Sequence, residues 1–112
     1  MLNIDTQNNI TLTRGDTAEL TLTVKKNGVS YDFSSDYVQF TVKRTTVTQD
    51  IVIQKTFDTD TIKILPDDTK NLTYTDLKYD VQIIDTNGNV YTVIPPKHFI
   101  IAEEVNFNVT RP

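Results

Sequence analysis

Cysteine and tryptophan are missing from this chain, and histidine occurs once, as His98. The absence of cysteine excludes disulfides, thiolate chemistry and cysteine-ligated zinc, and it fits a reducing compartment. No apolar run approaches the length of a membrane span, and residues 1–5 carry neither a basic start nor an apolar stretch. We therefore expect no signal peptide and no membrane partner.

The chain also has no basic surplus. Its 112 residues carry a formal net charge of −4, and the sequence pI is about 4.7. Binding to nucleic-acid phosphates draws on clustered lysine and arginine, but the basic residues here are scattered, so we expect no nucleic-acid partner. A chain of this length can bury roughly two-thirds of its unfolded surface without metals or disulfides. We assign residues 1–112 to a single domain.

Alternation of apolar and polar residues is what the sequence has in abundance. Residues 17–26 form a predicted strand with alternate apolar side chains on one face: Ala18, Leu20, Leu22 and Val24. A turn at Arg14-Gly15-Asp16 precedes this strand. Asn27-Gly28 closes it as a hairpin, because both residues tolerate the positive φ of a type I′ turn. Similar alternation recurs in residues 37–44, 51–57, 61–65, 77–85 and 105–109.

These strands and the turn signals between them predict an all-β chain. We expect an antiparallel, immunoglobulin-like Greek-key β-sandwich of about seven to nine short strands. One short helical turn is expected near residues 66–71, because proline suits a first turn and the following aspartates suit the positive end of the peptide dipoles. Pro95-Pro96 cannot donate ladder hydrogen bonds, so it marks an edge, a break or a change of sheet.

Tyr79 is the residue that favours a Greek-key sandwich over a simple barrel. In immunoglobulin-like sandwiches, a tyrosine near the start of the penultimate strand sends its hydroxyl back to the preceding corner, two residues before a core position. Tyr79 and Val81 fit those two places. The alternative is that Tyr79 is an ordinary half-buried strand aromatic.

None of the residues that could act in catalysis occurs in a known catalytic sequence pattern. His98 needs a serine beside it for nucleophilic catalysis, but no Gly-x-Ser-x-Gly elbow exists and the serines share one turn region: Ser30, Ser34 and Ser35. Glu103 and Glu104 point to opposite faces of an extended strand, so they cannot form the facing pair that glycosidases use. We expect no catalytic, cofactor-binding or metal-ligating residues, and no cofactor.

Three short motifs are interpreted as turns or as effects of composition. The segment Asp85 to Asn89 departs from a calcium loop, because Gly88 stands fourth where an EF-hand has glycine sixth. Arg14-Gly15-Asp16 spells the tripeptide read by integrins, but a turn that requires glycine accounts for it. The glycosylation sequons are attributed to abundant asparagine and threonine, and they begin at Asn9, Asn71 and Asn108.

Four motifs in succession carry a family resemblance. They are Gly15-Asp16-Thr17, Asn27-Gly28, Tyr31-Asp32-Phe33 and Val38-Gln39-Phe40-Thr41-Val42-Lys43. With these motifs the chain resembles phage tail and baseplate proteins of phages that infect Gram-positive bacteria. It is similar to the amino-terminal domain of the upper baseplate protein family (BppU type). The resemblance covers nearly the whole chain, and its motifs are turns and core alternation.

The resemblance implies a non-catalytic virion structural protein that docks onto other tail or baseplate proteins. It also implies a homo-oligomer within an assembly that forms in the host cytoplasm, and no functional residue carries over. The alternative is a carbohydrate-binding sandwich that recognises a cell-surface glycan, with exposed aromatics drawn from Tyr31, Tyr37, Tyr74 and Tyr91. A strand edge or apolar patch covered by a partner or by another copy favours docking.

Overall fold

A computed structural model describes residues 1–73 and 75–105 of the chain. In chain order its strands are β1 (Leu2–Ile4), β2 (Ile10–Thr13), β3 (Ala18–Thr21), β4 (Lys25–Lys26), β5 (Val29–Ser30), β6 (Tyr37–Lys43), β7 (Ile51–Thr56), β8 (Thr61–Ile64), β9 (Asp76–Ile84) and β10 (Val90–Ala102). One helix, α1 (Pro66–Thr69), lies between β8 and β9. The all-β class and the short helical turn are confirmed. Among the described residues, no helix has the length and apolar character needed to cross a membrane.

Six strands form one sheet in the order β1-β2-β10-β9-β6-β7. β3 and β8 form a separate antiparallel ribbon, and β4 and β5 form a short hairpin. The apolar side chains of the ribbon and of the six-stranded sheet belong to one buried cluster, so the ribbon covers one face of the sheet as the second layer of a sandwich-like core. The expectation of a wholly antiparallel arrangement is wrong at one pairing, because β2 runs parallel to β10. These two strands lie far apart in sequence, so no hairpin constrains their direction.

The core follows from alternation along the central strands. β9 buries every second residue, and the same face of β6 is buried: Leu77, Tyr79, Val81, Ile83, Val38, Phe40 and Val42. The rings of Phe40 and Tyr79 pack with centroids 5.2 Å apart, and the ring of Phe99 lies 6.0 Å from that of Phe40. These separations are typical of stabilising aromatic pairs. The other face of the sheet carries mainly polar side chains.

The strand predicted over residues 17–26 changes partner part-way. β3 pairs with β8, whereas β4 pairs with β5. Between them, the Leu22 amide donates to the Asp60 carbonyl at 2.8 Å, and the Val24 carbonyl accepts from the Tyr31 amide at 2.8 Å. The prediction of one continuous strand over residues 17–26 is therefore wrong. The return strand of the hairpin is short and comprises only Val29–Ser30.

β10 continues through Pro95 and Pro96 as a 13-residue strand instead of breaking there. Its register against β9 shifts between Thr92 and Ile94, and again between Ile94 and Lys97. β2 pairs only with the second half of β10, beginning at Phe99. Within the described residues, the first half is therefore hydrogen-bonded to a neighbour on one side only, which agrees with the prediction that the two prolines mark an edge.

The structure also bears on three smaller features, which are β1, Ile51 and the strand predicted over residues 105–109. The sequence pattern misses β1, whose short run carries no clear alternation and is mostly exposed. The alternation over residues 51–57 predicts an inward-facing Ile51, but this side chain is 49% exposed. An irregularity in the pairing of β6 with β7 sets Ile51 opposite Lys43, on the polar face. The strand predicted over residues 105–109 lies outside the described residues except for Val105, which is exposed.

The hydroxyl of Tyr79 donates to the backbone carbonyl of Asn8, in the loop between β1 and β2. It does not bond to the corner that precedes β9, so the predicted tyrosine corner is wrong. The reason is the parallel addition of β2 beside β10, which brings the β1–β2 loop next to this side chain. The hydroxyl thus ties the amino-terminal strands to the centre of the sheet.

Replacing Tyr79 by phenylalanine should lower the free energy of unfolding by about 1 kcal/mol, because one hydrogen bond of a buried hydroxyl is lost. Tyr91→Phe is the matched control, because the Tyr91 side chain is 53% exposed and its hydroxyl has no hydrogen bond in the described part of the chain. Urea denaturation of the two variants and the wild-type protein measures both effects. Equal losses, or no loss for Tyr79→Phe, would contradict the structure.

Candidate functional site

A groove lies between the first half of β10 and the β4–β5 hairpin, and we call it the edge groove. Its lining residues are Val24, Lys25, Lys26, Tyr31, Ile83, Asp85, Tyr91 and Val93. Its volume is about 230 Å³. Pockets for drug-sized ligands usually enclose roughly 300–1,000 Å³. The edge groove is therefore better suited to individual side chains than to an enclosed small molecule.

Turn chemistry builds one wall of the edge groove. Asn27 and Gly28 adopt φ values of 53° and 78°, as the predicted type I′ turn requires. This turn pairs Lys25 with Ser30 and Lys26 with Val29. The predicted Asn-Gly hairpin is confirmed, and it carries the two lysines to the rim of the groove.

The sheet provides the other wall. Tyr91 stands directly opposite Ile83 in the ladder between β9 and β10. Side chains opposite one another in an antiparallel pair share a face, so Tyr91 lies on the face of the buried Ile83. Ile83 is only 2% exposed, whereas Tyr91 is 53% exposed. Tyr91 therefore extends the core surface outward to the edge of the sheet.

Tyr31 is fixed in place by its hydroxyl, which donates to Asp36 Oδ2 at 2.6 Å. This hydrogen bond, together with desolvation, raises the pKa of Tyr31 to about 12. The hydroxyl therefore stays protonated at neutral pH and continues to donate. The ring is held as a fixed wall of the groove.

The rim of the edge groove carries an excess of positive charge. Lys25 and Lys26 take part in no ion pair among the described residues. The carboxylate of Asp85 is engaged elsewhere, because its Oδ1 accepts from the amides of Asn87 and Asn89, each at 2.9 Å. These hydrogen bonds lower the pKa of Asp85, with the Asn89 amide contributing most, and the positive charge of Lys26 lowers it further.

The turn around Asp85 has a counterpart between β1 and β2. Asp5 Oδ1 accepts from the amides of Gln7 and Asn9, each at 2.9 Å, in the same pattern. The left-handed position is held by Asn8 in one turn and by Gly88 in the other, with φ values of 67° and 83°. Both turns read Asp-Thr-x-x-Asn in the sequence. The interpretation of the Asp85 segment as a hairpin turn is confirmed.

His98 lies on the polar face of the sheet, away from the serines of the predicted turn region. Its Nδ1 is 2.7 Å from Lys78 Nζ and 3.0 Å from Asp76 Oδ1. This contact lowers the pKa of Asp76, with the His98 hydrogen bond as the main cause. No hydrogen bond joins His98 to a serine among the described residues.

The Arg14 side chain is largely buried and forms an ion pair within the protein. Its Nη1 lies 3.1 Å from Glu104 Oε1, and the two side chains are 17% and 11% exposed. Gly15 has a φ of 82°, and the Asp16 amide donates to the Thr13 carbonyl. The interpretation of Arg14-Gly15-Asp16 as a turn is confirmed, because the arginine of the tripeptide is engaged with Glu104.

The remaining candidates are dispersed. Asn9 uses its side chain within the β1–β2 turn and accepts from the His98 amide, and Asn71 is exposed after α1. Asn108 lies outside the described residues. Within residues 1–73 and 75–105, no group of three or more histidine, aspartate or glutamate side chains is placed to hold a metal ion.

Two of the four aromatics proposed for glycan contact meet in one place. Tyr31 and Tyr91 both line the edge groove. Tyr37 lies on the polar face, where Gln39 and Thr56 bond to its hydroxyl. Tyr74 lies outside the described residues. Sequence reasoning named the two groove tyrosines but had no signal that joins them.

No family model, curated protein or solved structure matches the chain.

Acidification should expose the role of the two aspartate turns. The pKa of Asp85 is lowered from 3.8, so its carboxylate stabilises the folded state above pH 3.8. This contribution is lost as the pH falls through the folded pKa. We expect Asp85→Asn and Asp5→Asn each to flatten the loss of unfolding free energy below pH 3.8, measured by urea denaturation at a series of pH values.

Glu19→Gln is the matched control, since it removes the same charge from an exposed position of β3. A pH dependence unchanged in both turn variants would contradict the assigned role of the carboxylates.

Proposed function

We propose that the chain is a non-catalytic structural domain of a phage tail or baseplate, and that it acts by docking onto other tail proteins. The resemblance of its turns and core strands to the upper baseplate family supports a place in the virion, assembled in the host cytoplasm. On this proposal the domain is an immunoglobulin-like Greek-key sandwich that works as part of a homo-oligomeric assembly. The observation that carries the docking role is the half-paired β10 beside the edge groove.

An unpaired strand edge is a template for pairing with another chain. Soluble proteins protect such edges with charged side chains, with bulges or with a covering segment. Residues 90–94 read Val-Tyr-Thr-Val-Ile and carry no charge, so the register shift between Thr92 and Ile94 is the one protection within them. Val90 and Tyr91 are each more than half exposed. An uncharged, exposed edge is explained if a partner covers it in the assembled state.

Carbohydrate binding is the second candidate, and the pairing of Tyr31 with Tyr91 favours it. Two tyrosine rings beside hydrogen-bonding groups form an amphipathic surface of the kind that binds polar ligands with apolar faces. The hydroxyl of Tyr91 has no hydrogen bond within the described residues, so it can serve a ligand. On this reading the partner is a cell-surface glycan instead of a tail protein.

Co-expression with the tail and baseplate proteins encoded beside this chain tests the docking role. We expect a stable complex that Tyr91→Ala weakens by about thirtyfold, the effect of losing an interface anchor worth about 2 kcal/mol. Tyr37→Ala is the matched control, because Tyr37 is similarly exposed but lies on the polar face. It should leave the complex unchanged.

Light scattering at high protein concentration and a glycan array separate the two candidates. A strictly monomeric protein that fails to co-purify with any tail protein and binds glycans through Tyr31 and Tyr91 contradicts the docking role. That result would establish the carbohydrate-binding alternative.

A further inference from the structure

We propose that the first half of β10 and the edge groove bind an extended acidic segment of a partner protein, which adds to the sheet as a new strand. The inference rests on the proposed docking role and adds to it the partner's backbone conformation, side-chain pattern and charge. Three independent features carry it: the unpaired backbone, the apolar groove and the two free lysines.

The backbone of residues 90–94 is paired on one side only. Val90, Tyr91, Thr92 and Ile94 pair with residues of β9, and β2 pairs with β10 only from Phe99 onward. No hydrogen bond from another segment of the described chain reaches the backbone of residues 90–94. A regular ladder on one side uses the N–H and C=O groups of alternate residues, so the groups of the others point outward, except at Val93, where the register shift interrupts the alternation. The open edge is roughly 17 Å long, the length of a short strand.

The two ends of this edge are defined. Pro95 and Pro96 have no N–H to donate, so an added ladder cannot extend through them. At the other end the chain leaves β10 through the turn that joins Ile84 to Val90. The docking segment is therefore confined to the first half of β10.

The lining of the edge groove determines which side chains of the added strand can bind there. Tyr91 and Val93 line the groove from the sheet side, and Tyr31 and Val24 line it from the hairpin side. Side chains of an added strand alternate between the two faces of the sheet, so every second one enters the groove. Apolar residues at alternate positions fit this lining.

The positive charge at the rim of the edge groove favours an acidic partner. Lys25 and Lys26 line the groove and form no ion pair within residues 1–73 and 75–105, although the chain as a whole carries a net charge of −4. Acidic residues beside the apolar positions complement these two ammonium groups, and basic residues are repelled. A second copy of this chain is disfavoured, because antiparallel pairing of two β10 edges sets both lysine pairs on the same side of the joined sheet.

Selection from a random dodecapeptide library displayed on yeast tests the proposal. We expect the enriched peptides to alternate apolar residues and to contain aspartate or glutamate. The most enriched peptide, made synthetically, should protect backbone amides of residues 90–94 from hydrogen exchange. N-methylation of alternate residues on its ladder-forming edge should abolish binding, because it removes the ladder donors.

Charge variants give the matched controls. Lys25→Glu with Lys26→Glu should weaken binding of the synthetic peptide by about tenfold in low salt, with a smaller effect at high salt. Lys25→Arg with Lys26→Arg should retain binding. Lys63→Glu with Lys70→Glu changes the net charge equally at exposed positions outside the groove lining and should also retain it.

Each other outcome overturns the proposal. These outcomes are no enrichment, enriched peptides without acidic residues, equal weakening by both glutamate pairs, protection confined to another surface, or self-association through residues 90–94. Failure here is distinguishable from failure of the docking role. A tail protein that co-purifies without protecting residues 90–94 overturns only the added strand, whereas peptide binding as expected without any tail partner overturns only the assignment to the virion.

Discussion

The pairing of β9 with β6 on one side and β10 on the other is the interaction on which the rest of the structure depends. These ladders place Tyr79 at the centre of the buried face, where it packs against Phe40 and Phe99. β10 follows β9 along nearly its full length, but β2 accompanies only the second half of β10. The strand that completes the core on one end of the sheet therefore leaves an open edge on the other.

The properties of the edge groove follow from that geometry. Tyr91 has to share a face with Ile83, so an aromatic ring reaches solvent at the margin of the core. The β4–β5 hairpin stands over this margin and carries two lysines, while Asp85 is held by its own turn. Lys25 and Lys26 form no ion pair among the described residues, although the charge of Lys26 contributes to the lowered pKa of Asp85. Unpaired backbone, apolar surface and positive charge thus coincide at one place.

Local sequence signals predicted much of the fold. Alternation identified β6, β8 and β9, and Asn27-Gly28 identified the hairpin, because side-chain period and positive φ are properties of a few neighbouring residues. The parallel pairing of β2 and the bond from Tyr79 to Asn8 could not be predicted, since they depend on contacts between distant segments. The site was missed for the same reason: Tyr31 and Tyr91 were recognised singly, but only the fold brings them together. The motif Asp-Thr-x-x-Asn occurs twice in the sequence, but the sequence analysis did not recognise that its two copies form the same turn.

We propose that this small acidic chain acts by docking through a half-paired strand. The claim depends on whether the first half of β10 is open in the free protein. Amide hydrogen exchange of the isolated chain measures this directly. The structure predicts that the amides of residues 90–94 that do not bond to β9 exchange rapidly, while those of Val81, Gln82 and Ile83 in β9, which pair on both sides, are strongly protected. Uniform strong protection across residues 90–94 would contradict the account.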